Sequence, residues 1–346
     1  MTNKTLEEYS EEEASRRLIP VIYLGILMIV GIIGNALVLI SYPMKFSVRT
    51  HRTFITGLAI PDILVCLVIV PFEIVEMRYQ YRFYNAIVCK LFRTCSHWFS
   101  MASIFVLTQL SYDTYQRICK PLKEQISIKK AKIYIGGGYI ISLCLSSLSF
   151  FGSGIRIVSL DNFTVGHDCS LADEYVDTLL PVIGEGVITL MVFTCIFFLV
   201  LLYSLIGRKI FIQSKFRRQF HAKTSSESRG NKASNKIFTI SKTRNTEETK
   251  RKSPESPLNR ITKIAFMITV VFILSFIPHA IISLLTALKG SFLVEPGSVA
   301  SLIMPILARS VMINNVVNPI IYGFMDKRFR QSCNMIWMNL VCCRSR

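Results

Sequence analysis

The residues that ask for chemistry are ionisable groups set in apolar surroundings. Asp62 lies inside the run LAIPDILVCLVIV. A carboxylate at mid-membrane costs about 2.5–3.5 kcal/mol on insertion scales, so it needs partners or a small cation. Ser103, Asn314 and Asn318, from two other apolar runs, offer neutral oxygens, and hard cations select oxygen ligands. A hydrated polar cluster that glues helices is the alternative. Glu73, Arg93 and Arg309 also stand in or beside apolar runs, a placement that by default marks a functional site. Pairing of Glu73 with Arg309, to hold two runs together, accounts for them equally well. Ser96, His97, Ser100 and His279 add hydroxyls and imidazoles, with Glu185 as a further acid. Such histidines more often satisfy internal hydrogen bonds than ligands. At the far end of the third run stands Asp113-Thr114-Tyr115. Arg117 follows Asp113 by one helical turn, where a pair stabilises by about 0.2–0.5 kcal/mol. Arg260 and Lys263, at the entrance of the sixth run, are the competing partners.

Positioning these groups calls for membrane-crossing helices. The chain is 51% hydrophobic and 18% charged, against about 25% charged in soluble proteins. Apolar runs near 19–43, 53–76, 88–117, 131–152, 177–209, 259–287 and 299–323 each have the length that spans hydrocarbon as a helix. Helix is required because every backbone polar group in lipid needs an internal partner. Pro278 and Pro319 each remove a donor and predict kinks in the sixth and seventh runs. The expected fold is an all-α membrane protein, a seven-transmembrane helix bundle over 19–323 with a short amphipathic eighth helix. Residues 1–18 form the expected outer tail, and 324–346 the amphipathic helix and inner tail.

Charge sets the orientation. Residues 208–263 carry sixteen Lys and Arg against four acids, and Lys120, Lys123, Lys129, Lys130 and Lys132 crowd the connection between the third and fourth runs. Glu7, Glu8, Glu11, Glu12 and Glu13 sit near the N-terminus. The positive-inside rule therefore puts the N-terminus outside and the C-terminus in the cytoplasm of a multi-pass plasma-membrane protein. The same basic loops attract anionic lipid and do not call for nucleic acid. The segment 211–258, rich in Lys, Ser, Asn and Thr, is expected to be disordered, and its KTSSES and RKSPES hydroxyls are phosphorylation candidates.

Of ten cysteines, Cys89 and Cys169 fall on the predicted outside, where oxidation favours a bridge. Asn3 and Asn162 fit the N-glycosylation pattern on that same side. Cys342 and Cys343 follow a basic amphipathic stretch and are palmitoylation candidates. The five histidines are scattered and no Cys-x-x-Cys pair exists, so no protein metal centre or other resident cofactor is expected. No nucleophile–base pair stands out, and an enzyme is not expected. A secondary transporter would show repeated halves, and none is visible.

The ordered motifs resemble the rhodopsin-like (class A) G-protein-coupled receptors. They are Gly34-Asn35, LAIPD ending at Asp62, Cys89, DTYQRICKPL from Asp113, FILSFIP ending at Pro278, NPIIY over 318–322, and Phe329 seven residues after Tyr322. The resemblance implies a sodium ion at Asp62, Ser103, Asn314 and Asn318. It implies a sixth helix that swings outward to admit a heterotrimeric G protein. Tyr115, Tyr203, Phe272, Phe276, Pro278, Pro319 and Tyr322 would take part in that motion, with arrestin and receptor kinases as further partners. Ile104 is expected to pack near Phe272.

The departures matter too. Thr114 replaces the family's arginine, and Leu258 and Asn259 stand where relatives often hold the opposing acid. This leaves open a closed state held weakly by a local Asp113–Arg117 pair, a reversed lock to Arg260 or Lys263, or a receptor that couples poorly. Tyr139 and Cys195 replace the usual Trp of the fourth span and Pro of the fifth, and a straighter fifth span is expected. Ser96 stands at the amine-receptor Asp position and Met312 at the opsin Lys position, which disfavours biogenic amines and covalent retinal. An expected outer tail of about eighteen residues predicts no hormone-capturing domain. A mixed-charge outer pocket suits a short peptide, as in peptide receptors, with a lipid or small organic ligand as the runner-up.

Overall fold

Apolar length decides where most of the helices run. The computed structural model describes residues 4–45, 50–175, 178–232, 257–289 and 299–343. Inside the segment expected to be a plain tail, helix α1 (Leu6–Arg16) forms. A capping box starts it: Glu8 N donates to Thr5 Oγ1 at 3.3 Å and Thr5 N donates to Glu8 Oε2 at 2.7 Å. This satisfies two of the orphan donors at the helix start. Ion pairs Glu12–Arg16 at 2.7 Å and Glu13–Arg17 at 2.8 Å follow one turn apart.

The first span is α2 (Leu18–Lys45). The second is broken into α3 (Thr50–Leu64), one π turn (Val65–Ile69) and α4 (Val70–Arg78). Pro71 explains the wide turn: it has no N–H to offer Leu67 O, and its ring crowds that carbonyl. The third span, α5 (Ala86–Cys119), is capped by Asn85, whose side chain accepts from Val88 N. The fourth, α6 (Ile128–Gly152), is capped by Ser127. Strands β1 (Ser153–Ser159) and β2 (Val165–Leu171) then form an antiparallel hairpin that pairs Ile155 with Cys169. A disulfide joins Cys169 to Cys89 at the top of α5, with Cα atoms 5.6 Å apart.

The fifth span, α7 (Leu180–Lys232), is unbroken α-helix, as the cysteine at 195 led us to expect. It also departs from the expected disorder of 211–258 over residues 211–232, where the helix continues. No proline stands between 181 and 254, and Lys and Arg are good helix formers. Residues 233–256 lie outside the described chain. The sixth span is α8 (Pro257–Lys289), with Pro278 inside it. The seventh is α9 (Val299–Ala308), a 3₁₀ turn (Ser310–Ile313) and α10 (Asn314–Met325). The eighth helix, α11 (Lys327–Cys343), follows at once.

Five stretches among the described residues are long and apolar enough on their own to cross a bilayer: 18–42, 50–78, 128–152, 183–216 and 262–283. The third and seventh spans fall short for a reason that bears on function. The outer half of α5 carries Lys90, Arg93, Thr94, Ser96 and His97, and the seventh span breaks at Arg309.

Helix α5 is the hub of the bundle and touches α3, α6, α7 and α8. The main core joins Ile104, Leu107, Leu199, Tyr203, Ile268, Phe272, Phe276 and Tyr322 across four spans. Span one meets spans seven and two where only glycine fits. A Cβ at Gly34 would stand 2.8 Å from Pro319 Cβ, and one at Gly31 would overlap Cys66 Sγ.

Candidate functional site

At the outer end, spans two, three and seven are tied by one ionic cluster. Arg309, at the break of the seventh span, donates through Nε to Glu73 Oε2 at 2.7 Å. Arg93 of α5 donates to Glu73 Oε1 at 3.2 Å, to Glu76 Oε1, and to the Cys169 carbonyl at 2.9 Å. Both glutamates are buried. The π turn sets where α4 directs Glu73 and Glu76, since it shifts helix phase between Asp62 and the outer turns. The hairpin closes over the cluster. Gln80 Nε2 donates to Asp168 Oδ1 at 2.9 Å, and burial holds the Asp168 carboxyl above its ordinary range.

Of the expected ligand residues, Glu73, Arg93 and Arg309 are thus brought together. His97 and His279 are engaged elsewhere. His97 Nδ1 is 2.6 Å from Ser149 Oγ and 3.9 Å from Glu185, and His279 Nδ1 is 2.6 Å from the Ala308 carbonyl. Ser96 and Ser100 are half-buried on α5. Glu76 went unread, because an acid near a span end looks like a solvated one. Its spacing of three from Glu73, on the same helical face, was the available signal.

Helix α1 lies across this end. Arg78 donates to Glu11 at 2.7 Å and Arg82 to Glu7 at 3.2 Å. Arg17 donates to Gln80, and Tyr9 Oη donates to Asp161 at 3.0 Å. Asn162 is exposed in the hairpin turn, while Asn3 lies outside the described residues.

Midway, Asp62 is fully buried. Ser103 Oγ donates to Asp62 Oδ1 and Asn318 Nδ2 to Oδ2, each at 2.7 Å. Asn314 is not bonded to Asp62; its Oδ1 and that of Asn318 are buried without hydrogen-bond partners. Asn35 Nδ2 donates to the Gly31 carbonyl at 3.0 Å and to Asn315 O of span seven at 2.8 Å.

The inner end has a different construction. Arg117 grips both oxygens of Asp113 on its own helix, Nε to Oδ2 at 2.8 Å and Nη2 to Oδ1 at 3.0 Å. The Arg260 side chain lies outside the described residues. Thr114 is fully buried, and its hydroxyl donates to the Leu110 carbonyl at 2.9 Å, so it presents no group in place of arginine. Tyr115 is half-buried. Ser111 Oγ and Tyr203 Oη share a hydrogen bond of 3.1 Å between spans three and five. Phe272 stacks on Phe276 at 6.0 Å, and Ile104 belongs to the same core. Tyr42 stacks on Phe329 at 5.8 Å and donates to Asp326, clamping α11 to α2, with Tyr322 edge-on to both rings. Tyr139 Oη donates to the Gly57 carbonyl and Tyr139 O accepts from Trp98 Nε1 at 3.0 Å, linking spans two, three and four. The side chains of Cys342 and Cys343 are outside the described residues, although α11 reaches position 343.

Comparison with known proteins bears on the whole bundle. The family model for the seven-transmembrane receptors of the rhodopsin family matches residues 34–322. The chain is 27% identical over 331 residues to a GQ-coupled rhodopsin of Mizuhopecten yessoensis, covering 93% of this chain and 60% of that protein. It is 27% identical over 324 residues to the type-1 angiotensin II receptors of Sus scrofa and Homo sapiens, covering 91% of this chain and 79% of each.

Proposed function

The chain belongs to the rhodopsin family of seven-transmembrane receptors, and from that premise we propose that it binds an extracellular peptide and activates a heterotrimeric G protein. The observation that carries the peptide reading is the outer ionic cluster of Glu73, Glu76, Arg93 and Arg309. A site that presents both signs suits a ligand with charged termini and side chains. The angiotensin receptors among its relatives support it. Met312 at the opsin lysine position argues against a retinal-bound pigment, although a rhodopsin is also a relative. Pro278 and Pro319, each inside a helix, would serve as hinges. A ligand acts by binding the open arrangement more tightly than the closed one.

The orientation, N-terminus outside and C-terminus in the cytoplasm, follows from the basic inner loops. Asn162 and Asn3 are then glycan acceptors, Cys342 and Cys343 acylation sites, and arrestin and receptor kinases partners at the inner face. The buried oxygens of Asp62, Ser103, Asn314 and Asn318 fit a small hard cation, since two amide oxygens there have no donor. These four residues would hold sodium, which would supply the positive charge that buried Asp62 lacks. Asp62→Asn is expected to abolish any sodium-dependent rise in melting temperature; a rise kept in full would contradict this.

A screen of short peptides in cells with a promiscuous G-protein readout tests the main reading. Saturable activation by a peptide, absent from untransfected cells, is expected. Activation by lipids or small organic molecules alone would overturn the peptide assignment. A second reading, weak coupling, is favoured by the Thr114 hydroxyl being spent on its own helix. Thr114→Arg would then raise ligand-driven signalling several-fold at equal surface expression, and an unchanged response would oppose it.

A further inference from the structure

We propose that Glu76 is the docking point for a basic group of the extracellular ligand, a guanidinium or ammonium; this rests on the peptide reading above. The Glu76 side chain is 5% exposed. Its Oε1 accepts from Arg93, while Oε2 is buried with no hydrogen-bond partner. The neighbouring guanidiniums direct their hydrogen bonds elsewhere, none of them to Oε2. Arg309 is committed to Glu73, and Arg93 is divided among Glu73, Glu76 and the Cys169 carbonyl.

Charge points the same way. Glu73, Glu76 and Asp168 gather around Arg93 and Arg309, three carboxylates against two guanidiniums. Arg17, also near Asp168, is paired with Glu13 and leaves that balance unchanged. One further positive charge would complete the cluster. A carboxylate oxygen that is already desolvated and held in place by Arg93 gives up little on receiving it, which is the advantage of preorganisation. The location is suitable, for Glu76 lies in the outermost turns of span two, beneath the disulfide-anchored hairpin. A charge-assisted bond there would select basic over neutral side chains.

The test uses full-length receptor in lipid nanodiscs and three probes: N-acetyl-arginine amide, N-acetyl-lysine amide and the uncharged N-acetyl-norleucine amide. The two cations are expected to raise the melting temperature saturably, and norleucine amide to leave it unchanged. Glu76→Gln keeps an acceptor for Arg93 and is expected to weaken the cation response at least tenfold, while Glu76→Asp retains most of it. An equal response in Glu76→Gln, an equal response to norleucine amide, or no response to any probe would overturn the proposal. Peptide pools with and without Lys and Arg, read by G-protein activation, separate the two claims. Equal activation by both pools would overturn docking at Glu76 and leave the peptide reading standing. Cation binding with no active peptide would overturn the peptide reading and leave Glu76 in place.

Discussion

At the outer end, Arg93 reaches from span three to two glutamates of span two and to a strand carbonyl, while Arg309 joins the same cluster from span seven. At the inner end, both oxygens of Asp113 are taken by Arg117 on the same helix, and Thr114 bonds back to its own backbone. The outer half is thus fastened between helices by charge and a disulfide. Among the described residues, the inner half is joined by ring packing, as at Tyr42–Phe329, and by hydroxyl hydrogen bonds, as at Ser111–Tyr203 and Tyr42–Asp326. The contrast teaches where motion is cheap. Separating the inner ends of spans three and six need not break the Asp113 ion pair, whereas separating spans two, three and seven outside would strand buried charges.

The contrast breaks most visibly at Arg93. Arg93→Ala leaves two buried glutamates short of a partner, and losing one member of a buried pair costs about 3–5 kcal/mol. A large fall in melting temperature of the purified receptor, or loss of surface display, is expected; an unchanged melting temperature would mean the cluster holds nothing. Gly34→Ala comes next. Its new methyl would crowd Pro319, and overpacking costs about 1–3 kcal/mol, again read by thermal unfolding. Arg78→Ala removes only a half-exposed tie between α4 and α1, so about 0.2–1 kcal/mol is expected. Faster amide exchange in α1, with the bundle unchanged, is its signature.

Much of this bundle was legible in the sequence, and the exceptions have physical causes. The apolar run read as 19–43 is α2, and Asp62 needed polar partners, which the Ser103 hydroxyl and the Asn318 amide nitrogen provide. Cys89 and Cys169 were the two cysteines on the side predicted to be oxidising, and they are bonded. The π turn was missed because Pro71 was read as part of an apolar run rather than as a missing donor. Helix α1 was missed although Thr5 and Glu8 spell a capping box and Glu12–Arg16 and Glu13–Arg17 have helical spacing; those charges were used only for orientation. The continuation of α7 to residue 232 was hidden by polarity, which argues against a buried core but not against a helix. Side-chain choice among several partners is the least legible level. Asp113 had three basic candidates; the geometry shows it bonded to Arg117, while the Arg260 side chain lies outside the described residues.

The most direct measurement is basal G-protein activation by Asp113→Asn, compared with the unmodified receptor at matched surface expression. A level within about twofold is expected, in keeping with the small worth of a pair confined to one helix turn. A rise of about tenfold, equivalent to about 1.4 kcal/mol, would mean that Asp113 restrains another helix, and would contradict a pair confined to Asp113 and Arg117.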